Sequence, residues 1–265
     1  MTALPYIAIA VCMAVIAWLV ARLRMLRNER VLAERAAAVE RAPGPTSTEI
    51  GILRGMISQM GGLSEQAIHD AMNALQRDDE TLAANVRKRD TAIDSIEAEV
   101  EQLAVRIIAS HAPTDADLRD VVAAMKIASV VERIGDYAKN IAKRVPMIGG
   151  DARIEPASVI PAMARMAAEM VHDVLDAFAA RDADAAVAVC NRDKALDDFY
   201  DSIFRMLVTY MVENPATIGQ VAHLLFVAKN LERIGDHATN VAEMVYYAAT
   251  GTQMTERERG KSGGS

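Results

Sequence analysis

From residue 48 onward, apolar side chains recur every three to four positions, the spacing of an amphipathic helix, and they do so in six blocks. The blocks predict helices over 48–77, 79–111, 115–144, 157–180, 182–212 and 217–250. Their ends carry local stop signals. Pro113 closes the turn after the second helix, and Asp115 or Asp117 can cap the third. Pro146 and Gly149-Gly150 stop that helix, and Asn214-Pro215 separates the fifth from the sixth. Gly61-Gly62 marks a weak point in the first.

The N-terminus follows a different pattern. Residues 3–21 hold no charged side chain and, as a helix, reach across a bilayer. Arg22, Arg24, Arg27 and Arg30 follow this run and nothing basic precedes it, which puts the rest of the chain on the cytoplasmic side. A cleaved signal would carry its charges before the apolar run. A single-pass anchor is therefore the expectation, ahead of a cleaved signal, a misplaced start or a buried helix. Residues 28–42 read as a charged helical stalk, and 42–47 (APGPTS) as a linker. The expected organisation is an apolar anchor and stalk over 1–45, three-helix bundles over 46–150 and 151–252, and a disordered polar tail over 253–265.

The two bundles are a duplication. ERIGDYAKNIAKR at 132–144 returns as ERIGDHATNVAEM at 232–244, Asp90-Thr-Ala-Ile-Asp94 as Asp193-Lys-Ala-Leu-Asp197, and AIHDAMNAL at 67–75 as MVHDVLDAF at 170–178. The three stations keep their order. The fold class is all-α: two tandem three-helix bundles, six long helices in all, preceded by an apolar N-terminal helix.

Composition agrees, with 52% apolar residues but only 4% aromatic, a mixture suited to helices. A net charge of −7 and two cysteines exclude a general nucleic-acid binder and a disulfide framework.

The duplicated acids carry the candidate chemistry. Positions four apart share a helix face, so Glu132, Asp136 and Asn140 form one ladder and Glu232, Asp236 and Asn240 its twin. Asp90 with Asp94, and Asp193 with Asp197, are further ladders, the last extended by Asp201. Like charges at this spacing repel, and two neutralisers are open. Cations such as Arg133, Arg233 and Lys229 can pair with the acids on a solvated face. Alternatively, two ladders on antiparallel neighbours can converge on a metal ion. An all-oxygen set suits Mg²⁺, Mn²⁺ or iron better than zinc. Gly135 and Gly235, costly inside a helix, point to close approach of a neighbour, to relief of core packing, or to both.

Glu169-Met-Val-His172 has the Glu-x-x-His spacing of di-iron bundles, but Glu65 stands four residues before His69, so the pair is incomplete. Both histidines read as helix-face or interhelical residues. No nucleophile–base constellation and no phosphate-binding glycine loop is present, and no enzyme is expected.

On MGGL at 60–63, Asp90-x-x-Ile-Asp94, Ala116-Asp117-Leu118-Arg119 and above all the two ERIGD-x-x-x-N blocks, the chain over about residues 50–250 resembles the PhoU family of phosphate-specific transport accessory proteins. The resemblance implies a dimeric six-helix protein whose acidic motifs bind metal. Asp90, Asp94, Glu132 and Asp136 would serve one site, and Asp193, Asp197, Glu232 and Asp236 the other, with Asn140 and Asn240 as weaker candidates. It also implies a non-enzymatic negative regulator that couples a phosphate ABC transporter to a sensor histidine kinase. The metal would be structural or regulatory. The apolar N-terminus departs from the family and would tether the regulator at the inner face of the membrane. Two rival readings are a membrane-anchored helical scaffold without a role in phosphate control, and a metal-storage or oxidase carboxylate bundle.

Overall fold

A computed structural model describes residues 47–113, 115–149 and 154–255. Every regular element among them is helical: α1 (Ser47–Arg77), α2 (Glu80–His111), α3 (Asp115–Ala142), the single turn α4 (Val145–Ile148), α5 (Ile160–Ala180), α6 (Ala183–Cys190), α7 (Asp193–Glu213) and α8 (Ile218–Thr250). Short 3₁₀ turns lead into α5 and α8. No helix among the described residues is long and apolar enough to cross a membrane. The apolar run 3–21 and its stalk lie outside the described residues.

Local chemistry sets the ends. Asp79 caps α2 by accepting from the Leu82 amide at 2.9 Å, and Asp182 caps α6 by accepting from Ala185 at 2.9 Å, the same device in both halves. Asp115 and Asp117 both fall in the first turn of α3, where the helix dipole favours negative charge. Pro146 opens a separate turn of helix after Ala142.

The fifth predicted helix is split in two at Asn191-Arg192. Both residues keep right-handed helical angles, but the Arg192 amide donates to Val189 at 3.0 Å, three residues back, which tightens the turn. Asparagine is a poorer helix former than Lys88, which holds this place in the first half. Arg192 also reaches across to Glu169 at 3.0 Å and to Asp173. The matching pair in the first half, Arg89 with Asp70 at 3.0 Å, leaves α2 continuous.

Each half packs as three helices: α1, α2 and α3 in the first, and α5, α6–α7 and α8 in the second. The halves join through α3 against α8 and α1 against α5, and one apolar core runs through both. Tyr137 and His237, which occupy the same place in the repeat, meet with rings stacked 5.3 Å apart. A residue that meets its own counterpart marks a local two-fold relation, here between the duplicated halves. Burial, then the nearby Arg133 and Arg233, lower the His237 pKa. Met254, assigned to the tail from sequence, is buried; residues 256–265 lie outside the described residues.

Gly61 is not a weak point. The helix runs straight through it, and a Cβ there would overlap the Leu175 side chain of α5, whereas a Cβ on Gly62 would meet nothing. Gly61 thus lets the two halves approach. Gly62→Ala is expected to stabilise the protein by about 0.5–1 kcal/mol through helix propensity. Gly61→Ala should lose about 1 kcal/mol net, because overpacking costs about 1–3 kcal/mol against that gain. Thermal melts that rank the two variants equally would overturn this assignment.

Candidate functional site

The acid ladders lie where the second and third helices of each half face one another. Gly135 and Gly235 make that approach possible. A Cβ on Gly135 would sit 2.8 Å from Ile93 Cδ1 and 3.5 Å from Asp90 Oδ1, and one on Gly235 would overlap the Leu196 side chain, next to Asp197. The glycines therefore permit close packing of the helix that carries the partner acids, beside the site itself.

In the first half, α2 supplies Asp90 and Asp94, and α3 supplies Glu132 and Asp136. Asp90 is only 5% exposed and pairs with the Lys139 ammonium, which also lies 3.1 Å from Asp136. The hydrogen bond that Lys139 donates to Asp90 raises the Lys139 pKa, so this cation stays charged. Crowding by protein raises Asp94, with the Asp90 charge adding to the effect and Lys139 opposing it. Glu132 is pushed up to about 7 by burial, then by Asp136, Glu97, Asp94 and Asp90. Glu97 belongs to this cluster although no repeat motif marked it; it continues the Asp90–Asp94 face by one more turn. Asn140 accepts from Lys143 at 3.1 Å.

Glu132 is expected to make the stability of the folded protein pH-dependent. Its carboxyl holds a proton more tightly when folded, so its contribution to stability is complete below the ordinary value of 4.5 and is lost as pH rises through about 7. Glu132→Gln is expected to flatten the fall in denaturation midpoint across that window; an unchanged profile would remove Glu132 as its source.

In the second half, α7 supplies Asp193 and Asp197, and α8 supplies Glu232 and Asp236. Asp193, Asp197 and Asp236 each bring a carboxylate oxygen within 4.8 Å of the others, close enough to share one cation. Burial raises Asp197, with Glu232 as the largest charge acting on it, and burial raises Asp236, with Glu232 and Asp197 following. Glu232 is turned aside onto Lys229 at 2.5 Å. Burial alone would lower the Lys229 pKa, but Glu232, with Tyr200 and Asp236, offsets it and the net shift is upward.

The halves are thus unequal. Position 139 is lysine in the first and Thr239 in the second, and position 229 is lysine where the first half has Ser129. In the first half a lysine lies between two of the four predicted ligands. In the second, a lysine draws away one acid and leaves three together. Pairing by local cations, one of the two readings of the ladders, therefore holds for Asp90, Asp136 and Glu232. The three converging aspartates keep a donor set of oxygens alone, which fits a hard cation. Arg133 and Arg233 lie near the Tyr137–His237 pair, with the Arg233 guanidinium 5.9 Å above the Tyr137 ring, and Arg233 also opposes the upward shift of Asp236.

His172 approaches Glu65 of α1 at 3.3 Å, across the two halves, while Glu169 is taken by Arg192. His69 is exposed on its helix. Neither histidine joins the acid clusters.

The PhoU domain matches residues 57–145 and 160–245, one copy in each half. The phosphate-specific transport system accessory protein PhoU homolog of Zymomonas mobilis is 53% identical over 213 residues, covering 80% of this chain and 90% of that protein. The crystal structure of PhoU from Pseudomonas aeruginosa superposes with a TM-score of 0.74 at 38% identity, over 78% of this chain and all of the other. That of the phosphate transport system regulatory protein PhoU from Streptococcus pneumoniae gives 0.74 at 26% identity, over 80% of this chain and all of the other. With a match in each half, in the order the duplication sets, and relatives alike along most of their length, this chain belongs to the PhoU family.

Proposed function

We propose that this protein is a non-enzymatic negative regulator of phosphate uptake and of the phosphate-starvation response, coupling a phosphate ABC transporter to a sensor histidine kinase. The observation that carries the proposal is the match of both halves to accessory proteins of the phosphate-specific transport system. The protein acts by binding: it works as a homodimer on the cytoplasmic side of the membrane, and residues 3–21 tether it near the transporter.

Metal belongs to the same proposal. Asp193, Asp197 and Asp236, with Glu232 one turn away, would hold one hard cation, Mg²⁺, Mn²⁺ or iron. Asp90, Asp94, Glu132 and Asp136 would hold another, more weakly, because Lys139 already supplies a charge there. The ion would neutralise the gathered carboxylates and fix α7 against α8. The structure gives no support to an oxidase, since no histidine stands in either cluster.

The test is a phosphatase reporter in phosphate-rich medium. A deletion strain is complemented with the full chain, with residues 46–265, or with a chain whose two ERIGD blocks carry Asp/Glu→Ala changes. High output in the deletion strain that falls on complementation supports the regulator, and the variants separate tether from acids. Low output in the deletion strain would count against repression of starvation genes and favour control of transport or the scaffold reading.

A further inference from the structure

The helices α3 and α8, which join the two halves, run antiparallel. At one end a Cβ on Gly251 would come 3.3 Å from Arg119 Cζ; in the middle Tyr137 stacks on His237; at the other end Arg144 donates to His223 Nδ1 at 3.0 Å. The outer side of this seam carries Arg119, Lys126 and Arg133 from α3, Arg144 from the turn after it, and Arg233 from α8. The first three stand seven residues apart and so stay within about 40° of one another round the helix. The acids of these helices point elsewhere. Tyr137, on the seam, is about 40° to one side of Arg133, whereas Asp136 and Glu132 are about 60° and 100° to the other. On α8, Glu232, Asp236 and Glu243 are likewise turned about 60–100° from Arg233, on the side away from His237. Asp120 is buried.

Among the described residues, none of the five cations is held in an ion pair. Arg144 lies 4.5 Å over the Phe226 ring and Arg233 5.9 Å over that of Tyr137, so aromatic faces take the place of carboxylates. Arg233 acts on Asp236, but less than the burial and the acids around it do. The chain carries a net charge of −7, and acids that repel one another stand a turn away. Cations kept apart from them in one row form a surface complementary to a negative partner. The repeat does not impose this row: the positions of Arg119, Lys126 and Arg144 are Gly219, Phe226 and Met244 in the second half. The seam therefore has a basic wall on α3, and a wall on α8 where Phe226, 52% exposed, and Met244 flank Arg233.

We propose that the seam between α3 and α8 docks an acidic amphipathic helix of another protein, its carboxylates along α3 and its apolar side chains toward Phe226 and Met244. Cations at seven-residue intervals meet a helix whose acids recur in the same heptad register, as flanking charges do in a coiled coil. From Arg119 to Arg144 the band is roughly 35 Å long, and it is one helix wide with acids on both flanks. That shape selects a rod. A plane of anionic lipid also presses on Asp136 and Asp236, which repel it. A nucleic-acid strand needs open aromatic faces, and Tyr137 is occupied by His237 and Arg233. A second copy fits poorly, since no described helix of this chain carries three acids at seven-residue intervals. The inference concerns a surface and depends on neither the phosphate nor the metal reading.

The probe is a fluorescent helical peptide of three heptads, each with Glu on one edge and Leu on the other, titrated by anisotropy into the full chain. One control peptide has Gln for Glu, and a second has the same composition with the Glu out of register. The Glu peptide is expected to bind in the micromolar range, more weakly as salt rises. Lys126→Glu with Arg133→Glu should weaken it at least about tenfold, and Phe226→Ala should weaken it too. If the charge-reversed pair melts early, Lys126→Gln with Arg133→Gln takes its place. Lys88→Glu with Arg205→Glu, an equal change of charge at exposed positions of α2 and α7, should leave binding unchanged. No saturable binding, equal binding of either control peptide, full binding by the Phe226 variant, or equal loss with the Lys88 and Arg205 pair would overturn the proposal. So would Lys126→Glu with Arg133→Glu weakening attachment to phosphatidylglycerol vesicles or to single-stranded DNA, or lowering the oligomeric state, while peptide binding holds.

Discussion

Asp120→Ala is expected to destabilise the folded protein by about 2–3 kcal/mol, because it strands two cations that the fold has taken partly out of water. Asp120 lies on α3, is 3% exposed, and holds Arg54 of α1 at 2.5 Å and Arg181 at 3.1 Å. Arg181 closes α5 in a left-handed conformation and also donates to the Ala248 carbonyl of α8 at 3.3 Å. One carboxylate thus ties two helices of the first half to two of the second. Both arginines keep some solvent, so the loss falls below the upper range for fully buried pairs. Asp120→Asn, which keeps an acceptor, should lose less. Urea denaturation would read the difference, together with a drop of roughly 5–10 °C in Tm. A variant as stable as the parent would mean that the arginines simply re-solvate and the bridge contributes nothing.

The second large effect is expected from metal. At about one hundred times its Kd, a cation bound only by the folded protein adds about 2.7 kcal/mol, so Mn²⁺ or Mg²⁺ should raise Tm by several degrees and a chelator should reverse it. Asp236→Asn should abolish this response. It should also make the metal-free protein more stable, since it removes one charge from a cluster in which burial and neighbouring acids raise Asp197 and Asp236. That opposite pair of outcomes is hard to obtain from a merely structural aspartate. Lys139→Ala should in turn create a stronger metal response in the first half, by removing the built-in cation from Asp90 and Asp136. If Asp236→Asn leaves the metal response intact, the three-aspartate cluster is not the site. If it lowers stability in chelator, the acids are held by cations and not by need of an ion.

Much of the architecture was legible in the sequence because the forces that set it are local. Apolar residues at three- and four-residue spacing mark the buried face of each helix, and Asp79 and Asp182 start α2 and α6 with their own side chains. The duplication displayed the acids twice, and spacing alone put each pair on one face. For Gly135 and Gly235 sequence offered close approach of a neighbour or relief of core packing, and the side chains of Ile93 and Leu196 on the neighbouring helix do come up against them. Where the reading stopped, the missing knowledge was which helix lies opposite. Gly61 looked like a break because its partner, Leu175, stands more than one hundred residues away. Asp120 carried no motif, since its value comes from Arg54 and Arg181 on other helices.

The sequence by itself determined six amphipathic helices, their duplicated order, the eight acids on their ladders and the family. Those depend on neighbours within a turn or two along the chain. Only the tertiary structure decided that the halves meet with Tyr137 on His237, and that Lys139 sits among the first set of acids while Lys229 draws Glu232 out of the second. A helix face is fixed by its own residues, but its electrostatics and its use are fixed by what packing brings against it.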